Sequence, residues 1–516
     1  MEVKKYIQKY KVLFSAILIL LCFAGLIVGV NELQVTFTFS NVYKLHNGIQ
    51  LYSQNNVIDT PLYFYLANAF LSIFGFNFFS YKLFAIVIFE IICLLSLNIL
   101  RKLNVSTTRA VIYIILIVLP FSRDFYQSGA SYNILALLFW LLGMYLIIRK
   151  EKFEVRPLEQ GVVAALVFAT KQNIGIYYLI GLSIFTIYNY RKDIKSILKK
   201  LFSTYAIFLC ITLTWIAGLA IQGQFKDFIN YCFLGIGEFA RSNISVNSGY
   251  IIFYCIPFLT IITLVLIKKK FKLTSESKFV KSTIFFLCFM FPSLLMGYPI
   301  FNTTHIILAT FVPVLYCVYF IEQLVSRMKE LFDLKIIKII LIGYLLVVIA
   351  LNLYYIFDYG CMLLNKDYTY TYDNPFFGTS STEELNDKIE EVVNFVKQKE
   401  SDNQNVVIFS TEANLYQLVL NGNNQDFDLP LLGNWGYKGE ERVLNKIKNL
   451  ENTFILINDE DLVGQESKTI KAYIRNNYNK TGEIAGFEIY YIEWGGWING
   501  KEWIFSICKR DLYRSW

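Results

Sequence analysis

Long apolar runs separated by short charged segments dominate the first 357 residues of the chain. The runs cover about residues 12–30, 80–100, 109–121, 130–148, 157–189 with a polar break at 170–173, 201–221, 249–267, 282–298, 303–321 and 336–357. A helix needs about 20 apolar residues to cross about 30 Å of bilayer hydrocarbon. The pattern therefore predicts an α-helical polytopic membrane protein with about 11 transmembrane helices.

Two longer segments, residues 31–79 and 222–248, are too polar to cross a bilayer. Within the first, Pro61–Phe74 has apolar residues at helical spacing but is too short to span, which is typical of a helix in the membrane interface. We therefore interpret residues 31–79 as a pair of short helices at the membrane surface, in an outer loop of a transmembrane domain that covers residues 1–357.

The remaining residues, 358–516, are predicted to form a small extracytoplasmic α/β domain. Residues 381–400 have a helix-start signal and amphipathic spacing, and strand-like and helix-like segments alternate after them. The predicted strands are Val406–Ser410 and Thr453–Ile457, and the predicted helices are Glu440–Leu450 and Glu466–Tyr478. Neither strand is followed by a glycine-rich phosphate loop, so the domain is interpreted as an acceptor-side or positioning module.

The distribution of charge sets the orientation and excludes nucleic acid as a partner. The net charge is +8, but Lys and Arg fall in short clusters between apolar runs instead of forming a basic face. With the N-terminus inside, the inner segments hold 26 Lys and Arg and the outer segments hold six. By the positive-inside rule, this predicts a cytoplasmic N-terminus and an extracytoplasmic C-terminal domain in a cell membrane.

No cofactor is indicated by the sequence. The nine cysteines are scattered and form neither a Cys-x-x-Cys motif nor a Cys/His cluster, so a structural zinc site is not predicted. A divalent metal stays an open alternative.

Ionisable residues are rare in the apolar cores and gather at the outer ends of the runs. Glu90 alone lies within a core, and a carboxyl hydrogen-bonded to a neighbouring helix is its simplest interpretation. A set of several such groups, as ion-coupled transporters use, is absent from the sequence pattern. The candidate site residues at the outer ends are Glu32, Asp59, Asp124, Lys171, Gln172, Tyr298 and His305.

These outer groups suit transfer to a hydroxyl from a phosphate leaving group. A carboxylate such as Glu32 or Asp59 can take the proton of the acceptor, and a nearby cation can hold phosphate. Asp124, Lys171, Gln172, Tyr298 and His305 are candidates for donor-phosphate or substrate binding. Each residue also has an ordinary alternative role, for example Asp59 as a helix cap or Lys171 as a headgroup anchor. What indicates a functional site is that all of these residues are predicted to lie on the same face of the membrane.

Several short motifs resemble the polytopic glycosyltransferases of the GT-C fold, the class that includes protein O-mannosyltransferases and the lipid A aminoarabinose transferase. They are an acidic residue directly after the first run (Glu32), YKLHNGIQLY, TPLYFYLANAFLSIFG from Thr60, SYNILALLFWLLGMYL, ATKQNIG and YPIFNTTHIILATFVP. The resemblance covers most of residues 10–360, and a C-terminal extracytoplasmic α/β domain also occurs in the class.

The resemblance implies a sugar donor on a polyprenyl phosphate and inverting transfer on the outer face to a glycan, lipid or protein acceptor. A carboxylate in the first outer loop would be the base, and Lys171 and His305 would bind the lipid phosphate. Many members have Asp, often Asp-Glu, after the first span, whereas this chain has Asn31-Glu32. Glu32 is preferred as the base on position, with Asp59 as the alternative.

Two other functions are compatible with the pattern. One is a flippase or transporter of lipid-linked sugars without bond chemistry, and the other is an inactive homologue that acts as a scaffold. The enzyme needs the carboxylate: Glu32→Gln should stop transfer but not lipid movement by a flippase.

Overall fold

The structure is a computed structural model that describes residues 15–20, 37–118, 131–150, 152–242, 254–270, 277–298, 303–327, 383–420, 432–459 and 466–492. Short pieces and single positions are also described at 272, 274, 343, 346–347, 350–351, 353–354, 356–358, 360–361, 364, 371, 373–379, 422, 426–427 and 430. The first and last predicted transmembrane helices lie largely outside these residues. The predicted number of spans therefore stays a prediction.

Besides a helical piece at residues 15–20, thirteen helices are described in the part of the chain up to residue 327. In order they are α1 Phe37–His46, α2 Leu62–Phe74, α3 Phe78–Lys102, α4 Thr107–Tyr113, α5 Tyr132–Ile148, α6 Pro157–Thr170, α7 Gln172–Asn189, α8 Ile194–Ile221, α9 Phe225–Ile229, α10 Ile236–Ser242, α11 Ile256–Lys270, α12 Lys278–Leu294 and α13 Thr303–Arg327. Single π-helical turns follow α4 and α9. The short pair predicted in residues 31–79 corresponds to α1 and α2.

Short polar side chains mark where several helices begin. Asn77, Ser106, Asp193 and Ser277 each accept a hydrogen bond from the backbone N–H three residues later, at the starts of α3, α4, α8 and α12. Such caps satisfy backbone donors that have no partner within the helix. Gly75, with φ of 93°, ends α2 in a conformation that side chains rarely adopt. The local sequence thus separates the short α2 from the long α3.

Four described helices are long and apolar enough to cross a membrane: Phe78–Lys102, Ile194–Ile221, Lys278–Gly297 and Thr304–Gln323. Shorter apolar helices occur at Leu62–Phe74, Thr107–Val118, Tyr132–Ile148, Pro157–Thr170 and Ile256–Leu266. These helices pack against each other in a bundle, where α6 contacts α5, α7 and α8, and α12 contacts α7 and α13. The predicted fold class, a polytopic helical membrane protein with a small α/β domain, is confirmed.

The C-terminal part builds a mixed four-stranded sheet. Its elements are α14 Glu383–Ser401, β1 Asn405–Phe409, α15 Ala413–Leu420, α16 Gly439–Lys448, β2 Thr453–Ile457, α17 Lys468–Asn477, β3 Asn479–Ile484 and β4 Phe487–Ile492. The sheet order is β1-β2-β4-β3, with β1 and β2 parallel and the other pairs antiparallel. Buried side chains such as Phe409, Trp435 and Ile455 form its core. The β3–β4 hairpin is absent from the sequence prediction because β3 is polar and mostly exposed.

Two compact units share the chain. One comprises residues 1–32, 59–225 and 244–380, and the other comprises residues 33–58, 226–243 and 381–516. The hydropathy pattern predicts that the two outer segments belong to the transmembrane domain, whereas in this division they group with the C-terminal residues. The chain passes from one unit to the other between Ile58 and Asp59.

Candidate active site

Asp59 lies in a buried corner directly before α2. Its side chain is only 4% exposed. The hydroxyl of the next residue, Thr60, donates a hydrogen bond of 2.7 Å to the carbonyl oxygen of Phe168 near the end of α6. Pro61 then starts α2, a position where its fixed φ suits a helix. The corner is thereby fastened to the end of α6.

Lys171 forms the turn between α6 and α7. It is a single residue in extended conformation, with φ of −155° and ψ of 113°, that both ends α6 and precedes α7. Its Nζ donates a hydrogen bond of 2.6 Å to Oδ1 of Asn133 and lies 4.7 Å from the centroid of the Tyr132 ring. A cation over an aromatic face is attracted to the ring. The two contacts direct the ammonium group toward the N-terminus of α5.

Tyr132 connects this cation to the Asp59 carboxylate. The Tyr132 hydroxyl donates a hydrogen bond to Asp59, and Lys171 attracts the same carboxylate electrostatically. Burial raises the pKa of Asp59 to about 6, although Lys171 and the Tyr132 hydrogen bond both act to lower it. Burial lowers the pKa of Lys171, and Asp59 opposes that change. The result is a buried carboxylate that faces a half-buried cation, with Tyr132 in contact with both.

Three more candidates lie at the ends of neighbouring helices. His305, in the first turn of α13, is within electrostatic range of Lys171. Gln172 is the first residue of α7 and is 5% exposed. Tyr298 is 65% exposed and interacts with Tyr177 of α7. His305 is therefore part of the group around Lys171.

Two further tyrosines extend the polar corner into an aromatic wall. Tyr63 of α2 is fully buried, and its hydroxyl lies 2.9 Å from the hydroxyl of Tyr81 in α3. The Tyr63 ring meets the Tyr132 ring edge to face, with centroids 6.2 Å apart. Aromatic walls with a few fixed polar groups are the usual lining of small-molecule sites.

The structure thus brings Asp59, Lys171 and His305 together and adds Tyr132 and Asn133, which sequence reasoning missed as site residues. Their signal is present in the sequence: Ser131-Tyr132-Asn133 stands at the outer start of an apolar run, on the same predicted face as Asp59. Glu32 and Asp124 lie outside the described residues. Their predicted roles stay predictions.

Glu90 is the ionisable residue that the sequence places within an apolar run. Both carboxylate oxygens of Glu90 are buried, and no hydrogen-bond partner for them occurs among the described residues, in contrast to the hydrogen-bonded carboxyl expected there. In the part of the chain that the structure describes, no three His, Cys, Asp or Glu side chains group as metal ligands would. A divalent metal stays an alternative prediction.

The helical bundle with its C-terminal α/β domain has the GT-C glycosyltransferase fold, as the sequence motifs predict. One similar structure is the crystal structure of ArnT from Cupriavidus metallidurans bound to undecaprenyl phosphate, with a TM-score of 0.53 and 11% sequence identity. The alignment covers 93% of the present chain and 98% of the ArnT chain. The crystal structure of ArnT from the same organism in the apo state is also similar, with a TM-score of 0.56 and 10% sequence identity. That alignment covers 94% of the present chain and 98% of the ArnT chain.

A family profile supports the same class. Residues 59–216 match the family described as Dolichyl-phosphate-mannose-protein mannosyltransferase. The matched region begins at Asp59 and includes Tyr132, Asn133 and Lys171. A search of curated proteins finds no significant match. The predicted resemblance to GT-C glycosyltransferases is confirmed by the fold and the profile together.

Proposed function

We propose that this protein transfers a sugar from a polyprenyl-phosphate carrier to an acceptor on the extracytoplasmic face of a membrane. The observation that carries the proposal is the group of Asp59, Tyr132 and Lys171, which lies within the residues matched by the mannosyltransferase family profile. The ArnT structure that matches the fold holds undecaprenyl phosphate, a ligand of the same chemical class as the proposed donor. Both comparisons are to transferases, and neither favours the flippase alternative.

Lys171 is the residue best placed to bind the donor phosphate. Its ammonium is held by Asn133 and Tyr132, so a phosphate oxygen would meet a cation that is already oriented. Preorganised charge of this kind stabilises a leaving group as its negative charge grows. His305 can add a hydrogen-bond donor from α13 to the same phosphate.

The chemical step is one displacement at the anomeric carbon. The oxygen or nitrogen of the acceptor attacks that carbon and forms the new glycosidic bond, while the bond from the carbon to the phosphate oxygen breaks. The electron pair of the broken bond leaves with polyprenyl phosphate, and the acceptor proton passes to a carboxylate. Attack from the side opposite the phosphate inverts the anomeric centre.

Attack from the side opposite the phosphate requires different roles for the two candidate carboxylates, Glu32 and Asp59. An inverting base must lie on the side of the sugar opposite the phosphate. Lys171 attracts the Asp59 carboxylate electrostatically, so in this proposal Asp59 lies on the phosphate side. We assign the base to Glu32, and we assign to Asp59 the role of a positioning residue that orients Tyr132 and Lys171.

The test is release of polyprenyl phosphate by the purified protein from a panel of polyprenyl-phosphate sugars in liposomes with a hydroxyl acceptor. Wild type should release lipid phosphate from at least one donor. Glu32→Gln should lower that release more than a hundredfold and still bind the donor. Glu159→Gln is the matched control, because Glu159 pairs with Arg149 and Arg156 away from the outer ends of the helices.

Movement of lipid across the bilayer is measured in the same liposomes with a fluorescent donor. Lipid movement that persists in Glu32→Gln, with no release of lipid phosphate by wild type from any donor, would contradict the enzyme and support a flippase.

A further inference from the structure

A ring of four hydrogen-bonded side chains joins three separate chain segments within the unit formed by residues 33–58, 226–243 and 381–516. Asn56 belongs to the first outer segment, Tyr231 to the second, and Asp426 and Arg442 to the C-terminal part. The guanidinium of Arg442 makes two bonds of 2.7 Å to the two oxygens of Asp426 through Nη1. Arg442 Nη2 also donates to the Tyr231 hydroxyl at 3.4 Å.

The ring closes through the first outer segment. The Tyr231 hydroxyl donates a bond of 2.6 Å to Oδ1 of Asn56, and Nδ2 of Asn56 donates to Oδ1 of Asp426 at 3.3 Å. Every donor points from the Arg442 cation toward the Asp426 anion. Bonds aligned in this way polarise and strengthen one another. Asp426 is 5% exposed and Tyr231 3% exposed, so breaking the ring removes hydrogen bonds from buried polar groups.

Other contacts fasten the same three segments. The Tyr52 and Phe228 rings meet with centroids 5.2 Å apart, and Cys232 Sγ donates to the carbonyl oxygen of Val57 at 3.9 Å. The backbone N–H of Tyr437 donates to Oδ1 of Asn230 at 3.2 Å. The ring is therefore the polar centre of a larger contact surface within this unit, and it acts directly on the segment that precedes Asp59.

We propose that this ring positions the loop on which the reaction depends, with Arg442 as the positioning residue. Asn56 stands three residues before Asp59 in the sequence. Val57 between them is 1% exposed, and its carbonyl oxygen accepts a bond from Cys232 of the same unit. The C-terminal residues thereby hold the backbone of the segment that ends at Ile58, directly before Asp59 in the sequence. This inference rests on the proposed function for its consequence on catalysis, but not for the ring itself.

The ring is tested first without any activity measurement, by amide hydrogen exchange of the full-length protein in detergent. Tyr231→Phe removes a single oxygen atom, and Arg442→Lys keeps the charge but loses the planar fork. Both should make exchange of residues 49–58 roughly tenfold faster. Arg475→Ala is the control, because Arg475 bonds Asp459 and Glu488 and no described residue of the two outer segments. Unchanged exchange in both ring variants would overturn the proposal.

The catalytic consequence is read as a separation of kcat from KM in the transfer assay. A misplaced loop should lower kcat about tenfold or more at a nearly constant KM for the donor. Faster exchange with wild-type kcat would overturn the positioning role. If wild type transfers no sugar, the proposed function fails, and the ring is still decided by the exchange result.

Discussion

At the scale of single residues, protonation of Asp59 would change the charge of the site next to Lys171. A buried charge is held by attraction to an opposite charge and by hydrogen bonds, and loss of the partner leaves it uncompensated. Here the Tyr132 hydroxyl bonds Asp59, and the Asn133 side chain bonds Lys171. The proposed assignment makes Asp59 useful to catalysis only while it is charged.

The pH dependence of transfer follows from that assignment. The pKa of Asp59 is raised from 3.8 to about 6, so its carboxylate is charged above about pH 6 and becomes neutral as the pH falls through that value. Neutralisation removes the charge that orients Tyr132 and Lys171. We therefore expect kcat/KM to decline below about pH 6.

Asp59→Asn should remove this decline and give a flat, lower profile. A hydrogen bond to a charged group contributes about 1.5–3 kcal/mol, which corresponds to a loss of about ten- to a hundredfold at neutral pH. The measurement is kcat/KM for the lipid donor between pH 5 and 8 in both proteins. A decline near pH 6 that persists in Asp59→Asn would assign it to another group and contradict this role.

At the scale of elements, the close packing of α6 and α7 sets where Lys171 lies. A Cβ built on Gly175 in α7 would fall on the backbone and Cβ of Phe168 in α6. The carbonyl of Phe168 also holds Thr60, next to Asp59. A glycine at this point therefore lets the two helices approach near the turn that carries Lys171.

Gly175→Ala should force the two helices apart. Overpacking of this kind typically costs about 1–3 kcal/mol, and we expect a lower Tm together with lower transfer activity. Gly218→Ala is the matched control, because nothing lies within 4 Å of a Cβ built on Gly218 in α8. It should keep the wild-type Tm or exceed it, since Ala favours a helix over Gly. Equal Tm values for the two variants in detergent would contradict the close approach.

The positions of several helices could be predicted from the sequence, because an apolar run or a polar break depends only on residues next to each other in the chain. The polar break at residues 170–173 corresponds to the turn at Lys171, and the apolar run 80–100 lies within α3. The approach of Tyr132 to Asp59 could not be predicted in the same way, because it depends on how α5 packs against the corner before α2. The exposed strand β3 was missed because few of its side chains are buried, so it lacks an alternating apolar pattern.

At the scale of the whole molecule, one feature was not predictable from the sequence. It is the grouping into one unit of residues 33–58, 226–243 and 381–516. Hydropathy identifies the outer segments only as gaps between spans. Their side chains nevertheless bond the C-terminal part through contacts such as Tyr231 to Arg442 and Glu238 to the backbone of Lys438. Such contacts between distant segments require all three to lie on one side of the membrane, which makes orientation a test of the entire arrangement.

The orientation is predicted from charge and can be measured by cysteine labelling. The proposed inner segments hold 26 Lys and Arg and the outer segments six, which favours a cytoplasmic N-terminus and an extracytoplasmic C-terminal domain. Lys388 on α14 has a side chain that is 46% exposed, and Lys192 is exposed in the inner segment between α7 and α8. In a cysteine-free parent, Lys388→Cys should react with an impermeant maleimide in intact cells, and Lys192→Cys only after permeabilisation.

A third position makes this test specific to the shared unit. Lys226, in the second outer segment, is exposed and begins the stretch that groups with the C-terminal residues. Lys226→Cys should therefore be labelled together with Lys388→Cys, because segments that bond each other in one unit share one aqueous compartment. Labelling of Lys192→Cys in intact cells, with protection of the other two, would reverse the orientation. Labelling of Lys226→Cys and Lys388→Cys from opposite sides would contradict the unit itself.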